Sequence, residues 1–241
     1  MNGESVASRL DTVLREIEAA ASRSGRPANC VELVAISKKQ PITLMEEYAS
    51  AARARGLTVV FGENYVQELK KKRAEMVDDV IFHVTGPLQG NKVRDAVRHG
   101  DVIESVHSRE ILREIATEAR KAGKRQPIFL QVNIALDGAK KGFSPDDIQA
   151  VLHEAADDTD ALRLDGLMTI TALYDEPEGA RGDFRRMADL RSQLEQAGLA
   201  SSFYESKIRL SMGMSADFQV AIEEGADLIR VGTALFGERA A

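Results

Sequence analysis

Short runs of β-forming residues alternate with helix-patterned stretches along almost the whole chain, and no other feature narrows the fold as sharply. Strands are expected at 33–37, 58–61, 80–84, 101–106, 127–133, 162–168, 207–211 and 228–231. Between them, apolar residues at helical spacing predict helices over 44–54, 65–76, 92–98, 110–121, 148–156, 184–196 and 218–224. Alternation of this kind favours a parallel sheet, because parallel neighbours need a crossover segment between them. Eight such strands favour closure into one α/β barrel of the (β/α)8, TIM type. An open doubly wound sheet is the alternative, and no strand-order break or dinucleotide signature supports it.

The helix ends carry matching signals. Ser144-Pro145-Asp146-Asp147 sets a capping hydroxyl, a first-turn proline and two acids ahead of one helix, while Gly56, Gly100, Gly123, Gly198 and Gly225 stop others. Ser215, with Asp217 close behind it, is read as the cap of the helix at 218–224. Only ten residues follow the eighth strand, too few for an eighth outer helix of ordinary length. The opening segment carries Val6, Leu10, Val13, Leu14 and Ile17 at helical spacing and is expected to fill that place in the ring. No linker rich in Pro, Gly or Ser divides the chain, so residues 1–241 are read as one domain and 171–182 as a βα loop.

The 241 residues are 44 % hydrophobic and 29 % charged, enough for a full core. A net charge of -6 argues against a broad nucleic-acid footprint. The one basic run, Lys70 to Arg73, lies on a helical pattern between Glu68 and Glu75 and reads as a solvated face. Cys30 is the only cysteine, which excludes an intramolecular disulfide and a multi-cysteine metal site and fits a reducing compartment. The opening segment has no apolar signal core, and no apolar run approaches the roughly 20 residues of a membrane span, so a cytoplasmic protein is expected.

Barrels of this kind place their sites where strands give way to βα loops. The stretch LVAISKKQP brings Lys38 to that edge. Val34, Ile36 and Lys38 share a face at period two, so if the first two fill the barrel the lysine stands over its mouth. Two readings fit that position: a solvated cation, and a desolvated amine able to form a Schiff base with a carbonyl.

The far end of the chain bears on the choice. There Ser211 ends the seventh strand, Gly213 permits a close backbone approach, and the eighth strand ends in Arg230-Val231-Gly232-Thr233. The loops after strands seven and eight are the common phosphate site of such barrels. Ser211, Gly232 and Thr233 supply small, donor-bearing groups there, although plain turns use the same residues. A Schiff-base lysine beside a phosphate cup points to pyridoxal 5'-phosphate (PLP), whose aldehyde and phosphate flank one ring. Arg230, with donors and no acceptor, would then face the ring nitrogen, hold it unprotonated and weaken carbanion chemistry.

Six stretches carry a resemblance to a known family: LVAISKKQP, FGENYVQE, FHVTGPLQGNK, QVNIALDGAKKGF, GLMTI and LSMGMSADFQVAIEEGADLIRVGTALFG. Spread over residues 33–237, they resemble the pyridoxal phosphate homeostasis protein family, whose fold is like the N-terminal barrel of alanine racemase. The resemblance implies that Lys38 is the aldimine lysine and that Arg230 partners the ring nitrogen. It makes Ser211, Gly232 and Thr233 phosphate ligands, and Asn64, His83 and Met168 pocket residues. Bland readings stand beside the last three: a local turn for Asn64, a satisfied strand-end histidine for His83, and simple packing for Met168. The chain departs from the family's pattern at Phe82, where Trp is usual, and at Glu104-Ser105-Val106-His107-Ser108, where His-Ser-Val-Asp-Ser is usual. The segment before FGENYVQE also runs longer than usual.

The implied function is reversible holding of PLP and its buffering for, or delivery to, apo PLP-dependent enzymes, by a monomer without nucleic-acid or membrane partners. An amino-acid racemase of weak activity is the alternative, weakened because the partner base of a racemase comes from a second domain. A Schiff-base aldolase acting on a sugar phosphate would also want the lysine and the phosphate cup, but gives Arg230 no partner. Lys140 is a candidate for a secondary phosphate contact.

Overall fold

The computed structural model describes residues 4–76 and 79–238. Eight strands close in sequence order into a barrel, every neighbouring pair parallel. They are β1 (Glu32–Ile36), β2 (Val60–Glu63), β3 (Ile81–Val84), β4 (Val102–Val106), β5 (Gln126–Gln131), β6 (Leu162–Met168), β7 (Arg209–Met214) and β8 (Leu228–Val231). The helices that follow β1 to β8 in turn are α2 (Ile42–Arg53), α3 (Val66–Glu75), α4 (Gly90–His99), α5 (Arg109–Lys121), α6 (Ile148–Ala156), α7 (Arg181–Gln196), α8 (Phe218–Glu223) and the single turn α9 (Thr233–Phe236).

The opening helix, α1 (Val6–Arg23), is capped by Ser5, whose Oγ accepts from the Ser8 N–H at 3.2 Å. Val6, Leu10, Val13 and Ile17 form its buried face. That face packs against α2 on one side and α8 and α9 on the other, so α1 takes the place in the ring that α9 is too short to fill. Ser144 caps its helix as expected, accepting from the Asp147 N–H at 3.2 Å, with a first turn of tighter 3-10 geometry.

The strands sort their side chains by alternation. Val34, Val60, Val102, Phe129, Met168 and Leu228, with Ile36 and Ile81 beside them, line the interior. Their sequence neighbours, such as Leu33, Ala35, Phe61 and Ile103, face outward into the larger apolar layer beneath the helices. Tyr48, Phe61 and Phe82 stack through that layer, with ring centroids 5.6 and 5.7 Å apart.

The basic run Lys70 to Arg73 corrects its expected reading. Lys70 and Lys71 are exposed, but Lys72 is only 4 % exposed and Arg73 lies across the Phe82 ring at 4.9 Å. Lys72 falls three residues after the buried Leu69, on the inward stripe of α3. No helix among the described residues is long and apolar enough to cross a membrane.

Candidate functional site

Closure of the barrel joins the two ends of the sequence. β1 pairs with β8 from Glu32 opposite Leu228 to Ala35 opposite Val231, so the turns that leave these strands start side by side. Strands paired in this way lie about 4.8 Å apart. Gly232 packs on Ile36 closely enough that a Cβ added to it would lie 3.5 Å from Ile36 Cβ. β1 stops at Ile36, and Lys38 sits half-buried in the turn that follows, in the same sector of the mouth as Gly232 and Thr233.

The turn after β8 gathers donors. The N–H groups of Gly232 and Ala234 both point to Ser215 Oγ, at 3.0 and 3.5 Å. Ser215 is therefore not the cap of α8. Asp217 occupies the position before that helix and accepts from the Met214 N–H at 2.6 Å. Converging N–H groups of this kind form a concavity suited to an anionic oxygen. Gly213, with φ of 92°, lets β7 pass close to α8, where an added Cβ would lie only 2.5 Å from Ala221 Cβ.

Below the mouth, a polar network replaces the apolar filling. Arg230, 4 % exposed, donates from Nη1 to Ser211 Oγ and from Nη2 to the Thr169 carbonyl, both at 2.7 Å. Ser211 Oγ donates to Glu104 Oε2 at 2.5 Å, and His83 Nδ1 lies 2.6 Å from Glu104 Oε1. Burial pushes the Glu104 carboxyl up, but the bond to His83 and the charges of His83 and Arg230 outweigh it and leave the group below its ordinary value. Arg230 is lowered by its own burial, against the pull of Glu104 and Asp217. Asp217 is raised by burial despite the Met214 N–H and the charge of Arg230.

The residues singled out from the sequence thus fall into three groups. Lys38, Gly232 and Thr233 share the β1–β8 sector. Arg230, Ser211 and His83 are linked through Glu104, with Met168 in the interior cluster beside them. The Ser211 hydroxyl, read from the sequence as a phosphate ligand, is bonded to Glu104 and to the arginine. Asn64 stands at the rim after β2, half-buried, and accepts from Thr85 Oγ1 at 3.1 Å. Lys140 Nζ donates to the Thr171 carbonyl and so ties the loop after β5 to the loop after β6.

Sequence reasoning missed Glu104 as a site residue, and with it Ser215. The signal for Glu104 was available: a carboxylate at the centre of the wholly buried strand Val102–Val106 needs partners inside the barrel.

Fold and site together define a (β/α)8-barrel protein whose mouth carries an amine beside a turn of converging N–H groups. The sequence profile of the family described as alanine racemase, N-terminal domain, matches residues 9–240. The chain is 37 % identical over 232 residues to the pyridoxal phosphate homeostasis protein of Aquifex aeolicus (strain VF5), covering 96 % of this chain and 97 % of that one. It is 38 % identical over 236 residues to the protein of the same name from Pseudomonas aeruginosa, covering 97 % and 96 %. Among solved structures, PipY of Synechococcus elongatus PCC7942 with PLP bound has a TM-score of 0.80 and 34 % identity, covering 96 % of this chain and 100 % of that one. The chain belongs to the alanine racemase N-terminal-domain family, and within it to the pyridoxal phosphate homeostasis proteins.

Proposed function

We propose that this protein binds PLP reversibly through Lys38 and serves to buffer it or deliver it to apo PLP-dependent enzymes. The observation that carries the reading is the pairing of β1 with β8, which brings the turn of Lys38 against the turn of Gly232 and Thr233. The relatives named for PLP homeostasis and the PLP-bound PipY support the choice of ligand. PLP supplies an aldehyde that a neutral amine converts reversibly to an imine with release of water.

Each residue then has a task that its surroundings support. Lys38 contributes the amine. The turn of Gly232 and Thr233, where the Gly232 and Ala234 N–H groups meet at Ser215, holds the phosphate. Arg230 offers the ring nitrogen a donor and no acceptor, which keeps that nitrogen unprotonated and the bound ring a poor electron sink. Ser211 and the Thr169 carbonyl hold the guanidinium in place, and Glu104 balances its charge. Asn64, His83 and Met168 complete the walls. A weak electron sink suits storage better than turnover. The protein works in this reading as a single-domain cytoplasmic monomer, and its lone cysteine fits a reducing compartment.

The test is the visible spectrum of protein loaded with PLP, before and after borohydride, in the wild type and in Lys38→Ala. The wild type gives an absorbance band that reduction removes. Lys38→Ala gives no such band and keeps the far-ultraviolet circular dichroism of the wild type, because a half-buried lysine at the mouth adds little to the core.

A further inference from the structure

The turn that carries Lys38 is gripped on both sides of that residue. Before it, Ser37 is fully buried, donates from Oγ to Glu63 Oε1 at 2.6 Å, and accepts at its carbonyl from Lys72 Nζ at 2.6 Å. After it, the Lys39 N–H donates to Glu68 Oε1 at 2.5 Å. Lys39 has φ of 60°, a left-handed conformation that is unfavourable for a residue with a side chain and persists where its surroundings hold it.

One buried ammonium ties these bonds together. Lys72 Nζ lies 2.7 Å from Glu63 Oε1 and 2.7 Å from Glu68 Oε1, in addition to the Ser37 carbonyl. Three acceptors match the three donors of an ammonium. Glu68 and Lys72 stand one turn apart on α3, while Glu63 closes β2, so the cluster bolts the turn after β1 to the next strand and the next helix. The α3 helix is also anchored by the buried Val66 and Leu69.

We infer that Lys72 is a positioning residue for the Lys38 amine, holding the backbone before and after it so that the amine meets a bound aldehyde in a narrow range of orientations. This rests on the reading of Lys38 as the imine-forming amine. A side chain that only filled space would affect ligand binding and imine formation alike. A positioning residue affects the covalent step and leaves the non-covalent one.

Lys72→Met separates the two. The first probe is PLP, followed by the growth of the visible band. The second is pyridoxine phosphate, which keeps the ring and the phosphate but has an alcohol in place of the aldehyde. Imine formation is expected to slow by on the order of tenfold to a hundredfold, with the dissociation constant of pyridoxine phosphate within about twofold of the wild type. In protein without ligand, hydrogen exchange at the Lys39 amide is expected to quicken by about tenfold, because its acceptor Glu68 loses its anchor. If Lys72→Met does not fold, because Glu63 is left buried without its cation, Glu63→Gln/Lys72→Met removes both charges and is measured the same way. Unchanged imine kinetics, or equal losses with both probes, overturns the inference. Wild-type protein that forms no visible band overturns the reading of Lys38 instead, while exchange at Lys39 still reports on the clamp.

Discussion

Two buried carboxylates stand toward the mouth end of the strands, Glu63 at the end of β2, facing α3, and Glu104 within β4, facing the barrel interior, each almost fully hidden from water and each with a basic group in reach. Their ionisation is nonetheless shifted in opposite directions. For Glu63, burial is the largest influence, the bond and charge of Lys72 and the Ser37 hydroxyl offset only part of it, and the carboxyl ends above its ordinary value. For Glu104, burial is again the largest single influence, yet His83, Arg230 and Ser211 together overcome it. The charges differ, since Glu104 faces His83 and Arg230 together whereas Glu63 has Lys72 set against the like charge of Glu68, and so do the oxygens. Glu104 has a partner on each, whereas Glu63 takes both of its bonds on Oε1 and Oε2 is buried without one. Both the charges in reach and the partners on each oxygen thus separate the two carboxyls.

That contrast matches two kinds of work. Glu104 balances Arg230 and must stay ionised to do so. Glu63 anchors a turn, and its hydrogen bonds matter more than its charge. The sharpest way to break the comparison is Glu104→Ala, which leaves His83 and Arg230 buried without their shared counter-charge and is expected to lower unfolding stability by about 3–5 kcal/mol in urea titrations. Glu63→Gln, measured alongside, is expected to cost about 1 kcal/mol or less, because the amide keeps an oxygen for Lys72 and Ser37 and gives up a charge that burial already disfavours. Equal losses would refute the distinction.

The pH dependence sharpens it further by a smaller effect. Glu104, held below the ordinary carboxylate value of 4.5, contributes stability that is complete above that value and lost as pH falls through its lowered folded value. Glu63, held above 4.5, contributes in the opposite sense: its part is complete below 4.5 and lost as pH rises through its raised value. Stability measured from acid to neutral pH is therefore expected to fall less steeply below pH 4.5 in Glu104→Gln than in the wild type. Glu63→Gln is expected to gain on the wild type as pH rises above 4.5.

The barrel was readable from the sequence because its two periodicities differ and alternate cleanly. β6 and β8 occupy their expected spans, while β2 begins at Val60 instead of Thr58 and β7 runs on to Met214 instead of ending at Ser211. Apolar content marks where a strand is wanted, but its ends depend on where a neighbour offers a partner: Met214 stays in the ladder because Arg230 lies opposite it. The groups proposed to face the ligand stand at positions that the sequence also marks, since Lys38 and the turn after β8 fall at strand ends. The supporting groups are not so marked. Lys72 hid in a run of four basic residues, where composition reads as solvent and only the position of Leu69 one turn earlier marks the inward one. Ser215 hid because a small hydroxyl near an acid imitates a helix cap, while its true partners lie on β8's turn, 17 and 19 residues away.

The proposed binding mode depends most on which amine takes the ligand. Protein loaded with PLP, reduced with borohydride, digested and mapped by mass spectrometry is expected to carry the modification on Lys38. Recovery of the adduct on Lys39, Lys140 or Lys141 instead would contradict it.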